Sequence, residues 1–313
     1  MTTVQPRIAV VVPCYNASQT LDQTLESVRQ QDVPVEIVVV DDGSTDASAE
    51  IARRFSPWAR VIEGPNRGVS SARNRGIAET TAEWLVFLDA DDLLKPGTLR
   101  RRLAPALEAE ADVIICEYEE LIEGAGGVFT VGARRRVDWQ ALRRDPEGAI
   151  ASHVWTSTAA LAYRRSLVEK IGGFRQDLPV IQDARLLFDA AFHGARMVGS
   201  DHVGAQYRIV PHSLSRRDPA RFWRDVLVNG RQIEALWRER QTLSRDRLGI
   251  LRDIYDQAAR GLFARSDAAF FQASASGRAL GLEMSLHSRV ATPLARLIGI
   301  GAARRLLALS RRT

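Results

Sequence analysis

Glu36-Ile37-Val38-Val39-Val40-Asp41-Asp42-Gly43-Ser44 is an apolar run that ends on two adjacent carboxylates and a glycine. Four consecutive β-branched residues bounded by a polar turn read as a strand buried on both faces, and Gly43 permits a tight turn into the next helix. The pattern repeats on either side, at Ile8–Val12 upstream and at Ala59–Ile62 and Trp84–Leu88 downstream. Between these runs Ser18–Gln31 carries Leu21, Leu25 and Val28 at helical spacing, and Thr45–Phe55, Val69–Thr80 and Gly97–Ala109 read as further helices. Strand and helix alternating four times predict an α/β fold with a mostly parallel sheet and helices on both faces. Ligands of such sheets bind beyond the carboxyl ends of the strands.

Further along, Val113–Cys116 reads as a fifth strand and the glycine- and arginine-rich segment Gly124–Arg136 as a hairpin or loop excursion. Ala159–Tyr163 resumes as a strand, Ser166–Ile171 as a short helix closed by Gly172-Gly173, and Asp183–Phe192 as a helix stopped near Gly194. From Pro219 helical periodicity dominates, at Phe222–Arg240, Leu243–Ala264, Asp267–Leu286 and Leu294–Leu309. The expected division is a catalytic α/β domain over residues 1–217 and a helical, Arg-rich C-terminal region over residues 218–313.

A chain of 313 residues with 45% hydrophobic and 26% charged residues has the composition of a folded globular protein. Its net charge of +5 is uneven: the last 96 residues hold 17 Arg and 9 acidic groups, about +8, and the remainder sums to about −3. A basic tail suits an anionic surface, although an Arg-rich solvated helix face has the same composition. Cys14 and Cys116 have no metal-knuckle or redox spacing, so both are expected as buried thiols in a reducing compartment. No secretory leader is expected, because the apolar run Ile8–Val12 is too short, and no transmembrane helix, because the longest uncharged stretch, Gly148–Tyr163, falls short of the ~20 apolar residues a span needs.

Four strand ends carry polar signatures that converge on one crevice: Pro13-Cys14-Tyr15-Asn16, Asp41-Asp42-Gly43-Ser44, Pro65-Asn66-Arg67-Gly68 and Asp89-Ala90-Asp91-Asp92. Adjacent carboxylates such as Asp41 and Asp42 accept hydrogen bonds from a base or ribose, while Asp42 taken alone equally suits capping of the helix at Thr45. In Asp89-Ala90-Asp91 the strand alternation lets two carboxylates point the same way at the exit, an arrangement of hard oxygen ligands for Mg²⁺ or Mn²⁺. Neither the dinucleotide Gly-x-Gly-x-x-Gly nor the P-loop glycine turn occurs, which leaves a metal-bridged diphosphate as the natural mode of phosphate binding.

These motifs resemble the family 2 glycosyltransferases of GT-A fold: Val11-Val12-Pro13-Cys14-Tyr15-Asn16-Ala17, Glu36 to Asp46, Asn66-Arg67-Gly68 with Ala72-Arg73-Asn74, and Phe87-Leu88-Asp89-Ala90-Asp91-Asp92. The likeness runs over roughly residues 7–215 and is most specific in the first hundred. It implies an inverting enzyme with a nucleotide-diphosphate sugar in the crevice. By resemblance, Pro13 and Tyr15 line the nucleobase, Asp42 hydrogen-bonds it, Arg73 lies beside the nucleotide, Asp89 and Ala90 face the ribose side, and Asp91 binds the metal. Relatives carry Glu-Asp where this chain has Gln182-Asp183, so Asp183 maps to the catalytic base and Gln182 is a departure. Asp183 alone also suits an N-cap for its helix. His212, in Tyr207-Arg208-Ile209-Val210-Pro211-His212, falls in the segment that closes over the donor and is a candidate metal contact. Trp155 and Ser157 lie where acceptor contacts fall in relatives, and the aromatic is equally suited to the core.

The resemblance implies a saccharide or lipid-linked acceptor and a role in polysaccharide or glycoconjugate biosynthesis, with acceptors met at the cytoplasmic face. Two alternatives stand beside it. A nucleotidyltransferase would be expected to show a Gly-rich, basic first loop where Pro13-Cys14-Tyr15-Asn16 stands, and a decayed scaffold protein would be expected to have lost Asp42, Asp91 or Asp183. In the tail, Leu294, Leu297, Ile298 and Leu306 can share a stripe beside Arg296, Arg304, Arg305, Arg311 and Arg312. That pattern suits an anionic membrane surface, slightly ahead of self-association through the C-terminal helices, and a helix packed on its own domain would show a similar stripe. Nucleic acid is not expected as a partner.

Overall fold

The computed structural model describes residues 7–124, 127–152, 156–210, 213–263, 265, 267–282, 299 and 301–303. In chain order the first half runs β1 (Ile8–Cys14), α1 (Leu21–Arg29), β2 (Val35–Asp41), α2 (Ser48–Arg54), β3 (Ala59–Glu63), α3 (Val69–Ala78), β4 (Trp84–Phe87), β5 (Leu93–Leu94) and α4 (Thr98–Glu108). It continues with β6 (Val113–Glu123), β7 (Phe129–Arg135), α5 (Trp139–Arg144), α6 (Pro146–Ser152), β8 (Leu161–Arg164), α7 (Arg165–Lys170), α8 (Gln182–Phe192) and β9 (Met197–Ile209). The chain separates into two units, residues 1–211 and 212–313.

In the first unit nine strands form one sheet in the order β3-β2-β1-β4-β8-β6-β9-β5, with β7 paired to β6. β3, β2, β1, β4, β6 and β9 run one way, and β8, β5 and β7 run against them. The expected mostly parallel sheet is therefore what the chain builds. β1 lies between β2 and β4 and every one of its residues is buried, as an apolar run covered on both faces must be. On one face α1 turns Leu21, Leu25 and Val28 into the core. Against β1 lies α3, close enough that a Cβ on Gly76 would sit 2.3 Å from Val11 Cγ1, so only glycine permits that approach. Strand order reverses direction between β1 and β4, and the crevice outside their carboxyl ends is the topological switch point where such sheets take ligands.

Several expectations change in detail. Gly124–Arg136 is a hairpin, with β6 extending to Glu123 to meet β7. Ala159 and Ala160 belong to a 3-10 turn, and the strand begins at Leu161. The longest strand, β9, does not show in the sequence, because Gly199 and Gly204 interrupt its alternation and its place is decided by parallel pairing with β6. Two short helices, α5 and α6, also lay hidden in the segment that reads as loosely patterned.

The second unit holds α9 (Leu214–Arg217), α10 (Pro219–Glu239), α11 (Arg245–Leu262) and α12 (Asp267–Ala279). Asp218 caps α10 by accepting from the Arg221 amide at 2.9 Å ahead of a proline in the first turn, and Ser244 caps α11, both as capping chemistry favours. Leu227, Ile233 and Trp237 of α10 and Leu251, Tyr255 and Leu262 of α11 are buried. The helix expected at Leu294–Leu309 lies almost wholly outside the described residues. Among the described residues no helix is long and apolar enough to cross a membrane.

Candidate active site

The carboxyl ends of β1, β2 and β4 place Tyr15, Asp42 and Asp89 to Asp91 on one edge of the sheet. Tyr15 follows β1 with 46% of its surface exposed, whereas Pro13 is buried inside that strand. The ring of Tyr15 is thus exposed to meet a planar ligand. Asp42 is buried and each of its oxygens accepts a main-chain amide, from Arg67 and from Gly68, both at 2.8 Å. It therefore ties the Pro65–Gly68 loop at the entry to α3 and does not cap the helix after Thr45. That helix start is held by Asp46, which accepts from the Ser48 amide at 3.0 Å. Gly43, at φ +79°, passes so close to the loop that a Cβ would lie 2.8 Å from the Asn66 amide nitrogen. A cavity of about 480 Å³ opens here, lined by Asp42, Pro65, Arg67, Ser71, Asn74 and Arg75 among others.

Arg73 projects from α3 into the interior and is 1% exposed. Its guanidinium donates to Gln182 Oε1 at 2.5 Å, forms an ion pair with Asp89, and lies 5.0 Å over the ring of Phe174. Asn74 fixes that ring by accepting from the Phe174 amide and donating to the Phe174 carbonyl, both at 2.8 Å. One arginine thus joins the end of β4 to the start of α8. This contact could not be read from the sequence, since Arg73 and Gln182 are 109 residues apart. Gln182 is a neutral acceptor here, so Asp89 is the carboxylate bonded to the buried guanidinium.

Asp183 lies in the first turn of α8, whose N-cap is Ile181, so the capping alternative does not hold. Its carboxylate accepts from the Ala184 amide at 2.8 Å. Burial raises its pKa above the ordinary aspartate range, and the positive charge of Arg73 opposes the rise. Asp177 and Asp189, other acidic residues of this region, are held in ion pairs by Arg175 and Arg185 at 2.9 Å and 2.7 Å.

The turn after β4 is pinned on every side. Thr20 and Thr24 of α1 both donate to the Ala90 carbonyl, at 2.9 Å and 3.0 Å. Arg208 of β9 donates to the Asp91 carbonyl at 2.7 Å, and its own amide donates to Asp92 Oδ1 at 2.9 Å. Ser157 reaches Asp92 Oδ2 at 3.4 Å. By contrast, among the described residues no side chain donates a hydrogen bond to the Asp91 carboxylate. Burial first and the neighbouring Asp89 second raise its pKa to about 6. Asp92, more deeply buried beside both, is pushed well above the usual range.

A half-buried carboxylate to which no described side chain donates, next to two other carboxylates, is chemically suited to a divalent cation. No group of three His, Cys, Asp or Glu residues forms a metal cage among the described residues. A cation at Asp91 would take its remaining ligands from water and a bound diphosphate, which is how Mg²⁺ is commonly held. The residues present fit that ion. Of the other candidate positions, His212 and Trp155 lie outside the described residues. Thr20, Thr24 and Arg208 carry no local signal of their roles. They become site residues only because α1 and β9 pack around the turn.

The family model described as glycosyl transferase family 2 matches residues 9–172. Among curated relatives, the uncharacterized glycosyltransferase YibD of Escherichia coli is 30% identical over 60% of this chain and 53% of its own length. The succinoglycan biosynthesis protein ExoO of Rhizobium meliloti is 31% identical over 67% of this chain and 63% of its own. The chain thus spans about half to two thirds of these relatives. Among solved structures, S. aureus TarS 1-349 in complex with UDP-GlcNAc superposes with a TM-score of 0.67 at 20% identity, covering 98% of this chain and 91% of that one. The mannosyltransferase PcManGT from Pyrobaculum calidifontis, in complex with GDP-Man and Mn²⁺, gives 0.59 at 22% identity, over 98% and 84%. At these identities the likeness shows the shared GT-A fold.

Proposed function

Because the chain belongs to glycosyl transferase family 2, we propose that it is an inverting glycosyltransferase moving a sugar from a nucleoside-diphosphate donor to an acceptor hydroxyl. The observation that carries this reading is two unlike carboxylates, one in the turn after β4 and one at the start of α8: Asp91, to which no side chain among the described residues donates, and Asp183, buried with its pKa raised. The arginine Arg73 links their two elements through Asp89 and Gln182. The family match weighs against a nucleotidyltransferase, and the presence of Asp42, Asp91 and Asp183 weighs against a decayed scaffold.

In this reading Asp183 accepts the proton of the acceptor hydroxyl as its oxygen attacks the anomeric carbon, while the bond to the diphosphate breaks on the opposite face. One displacement inverts the configuration. The raised pKa of Asp183 makes it a stronger base than an exposed aspartate, and Gln182, being neutral, adds no competing negative charge beside it. Mn²⁺ or Mg²⁺ held by Asp91 would supply neutralisation of the departing diphosphate. Tyr15 offers its ring to the nucleobase. Asp42 holds the loop that borders the base cavity, with Arg67 on its rim. The UDP-GlcNAc and GDP-Man bound by the two structural neighbours support a nucleotide sugar as the donor class, and the succinoglycan relative supports a polysaccharide or glycoconjugate product.

A panel of nucleotide sugars with Mn²⁺, read by thermal shift and by donor hydrolysis, tests the proposal. Stabilisation by at least one donor together with slow hydrolysis is expected, and no response to any donor would overturn it. Tyr15→Ala is expected to weaken the preferred nucleotide by the stacking contribution of about 1 to 3 kcal/mol, measured by calorimetry. An unchanged affinity would remove Tyr15 from the base site.

We also propose that the Arg-rich region docks on an anionic membrane surface, where a lipid-linked acceptor would be met. Each arginine near such a surface adds about 1 kcal/mol, so binding should fall steeply with salt. The full chain is expected to co-sediment with anionic liposomes at low salt and a chain ending at Thr292 to remain in the supernatant. Equal behaviour of the two would reject membrane docking and leave packing or self-association.

A further inference from the structure

Arg208 sits on β9, 117 residues from the Asp91 carbonyl it contacts, and at 2% exposure it is among the most buried cations of the first unit. Its placement follows from the parallel pairing of β9 with β6, in which Arg208 lies opposite Leu121. One guanidinium nitrogen donates to the Asp91 carbonyl at 2.7 Å and another to the Gln23 side chain of α1. The ring of Phe129, at the start of β7, lies 5.0 Å from the guanidinium carbon. The main-chain amide of the same residue donates to Asp92 Oδ1 at 2.9 Å.

What Arg208 does not do is as informative. It stands within electrostatic reach of the Asp91 carboxylate yet places its donors on the carbonyl of that residue and on Gln23. A salt bridge to the carboxylate would have to break before a cation could bind. Here the arginine holds the backbone of the turn, shares its charge with the buried Asp92, and leaves the Asp91 oxygens with no side-chain donor among the described residues. Burial pulls its pKa down and the two aspartates oppose that pull, but a guanidinium stays charged at any working pH.

We propose that Arg208 is a positioning residue that presents the Asp91 carboxylate to a divalent cation, with the β7 start and α1 as its supports. The inference rests on the reading of Asp91 as the metal ligand. It makes a prediction of definite sign. If Arg208 were only a competing positive charge, its removal would tighten cation binding. If it positions the turn, removal weakens binding, because Asp91 loses its anchor and Asp92 its compensating charge. Groups that orient a metal ligand from behind typically change metal affinity by about 10- to 100-fold.

The test is titration of the full chain with Mn²⁺ alone, followed by the electron paramagnetic resonance of the free ion, alongside the melting temperature of each variant. Arg208→Met is expected to weaken Mn²⁺ by about 10- to 100-fold and Arg208→Lys to recover part of the loss. Gln23→Ala, a change at an exposed position, is expected to weaken Mn²⁺ in the same direction by a smaller factor with its melting temperature unchanged. It decides the matter where Arg208→Met does not fold. Affinity equal to or tighter than the parent's in these folded variants, with Asp91→Asn abolishing binding, would overturn the role of Arg208 and leave the metal site standing. Mn²⁺ binding that survives Asp91→Asn, or is absent from the parent, would instead bring down the assignment of Asp91 and this inference with it.

Discussion

Asp183→Asn is expected to lower the rate of sugar transfer by about 10² to 10⁴ while donor affinity stays at the parent value. The amide keeps the shape of the carboxylate and its bond with the Ala184 amide, but it cannot take the proton of the attacking hydroxyl. Calorimetry with the nucleoside diphosphate and steady-state transfer with the natural acceptor, measured on the same preparation, separate the two effects. The pH profile gives a second handle. The base works deprotonated, so activity falls as pH drops through its pKa, and burial sets that value above the ordinary 3.8 of aspartate. The acid limb of kcat/KM should therefore lie higher than an exposed aspartate would give. A variant that turned over at the parent rate would exclude Asp183 as the base. Asp177 and Asp189 would be poor replacements, since both are engaged by arginines.

The second large effect is expected at Asp91. Asp91→Ala should abolish the gain in nucleoside-diphosphate affinity that Mn²⁺ gives the parent, and lower transfer by about 10³ or more, since a bound cation contributes several kcal/mol to stabilising the departing charge. The fold should survive, because among the described residues no side chain relies on the Asp91 carboxylate for a hydrogen bond. Its neighbour is predicted to behave oppositely. Asp92 accepts from the Arg208 amide and from Ser157 and is fully buried, so Asp92→Ala should lower the melting temperature before it reports on metal. Isothermal titrations of UDP and GDP with and without Mn²⁺, paired with thermal melts, would distinguish the two residues. Unchanged Mn²⁺ enhancement in Asp91→Ala would sink the assignment of the ligand.

Much of the architecture is legible in local pattern. The apolar runs ending at Cys14, Asp41, Glu63 and Phe87 become neighbouring strands of the sheet, because a run of β-branched residues covered on both faces has few other stable fates. The polar residues after β1, β2 and β4 fall on one edge for the same reason, since parallel strands bring their carboxyl ends together. The strand at β8 was legible too, though not its antiparallel place beside β4, and the long strand β9 was beyond that kind of reading, because long-range pairing with β6 decides its place.

What the sequence by itself determined is which residue types stand at the strand ends: an exposed aromatic at Tyr15, carboxylates at Asp42, Asp89 and Asp91, and a base candidate at Asp183. Short-range spacing and side-chain chemistry suffice for that. Only the tertiary structure decided how those groups are used. It turned Asp42 inward onto two loop amides, buried Arg73 between Asp89 and Gln182, and gave Asp92 to Arg208 while leaving the Asp91 carboxylate with no side-chain donor among the described residues. The physical reason is that burial and hydrogen-bond partnership belong to packed elements and not to neighbours in the chain. Asp91 and Asp92 are adjacent in sequence, yet β9 takes the Asp92 carboxylate as a structural anchor through the Arg208 amide and meets Asp91 only at its carbonyl.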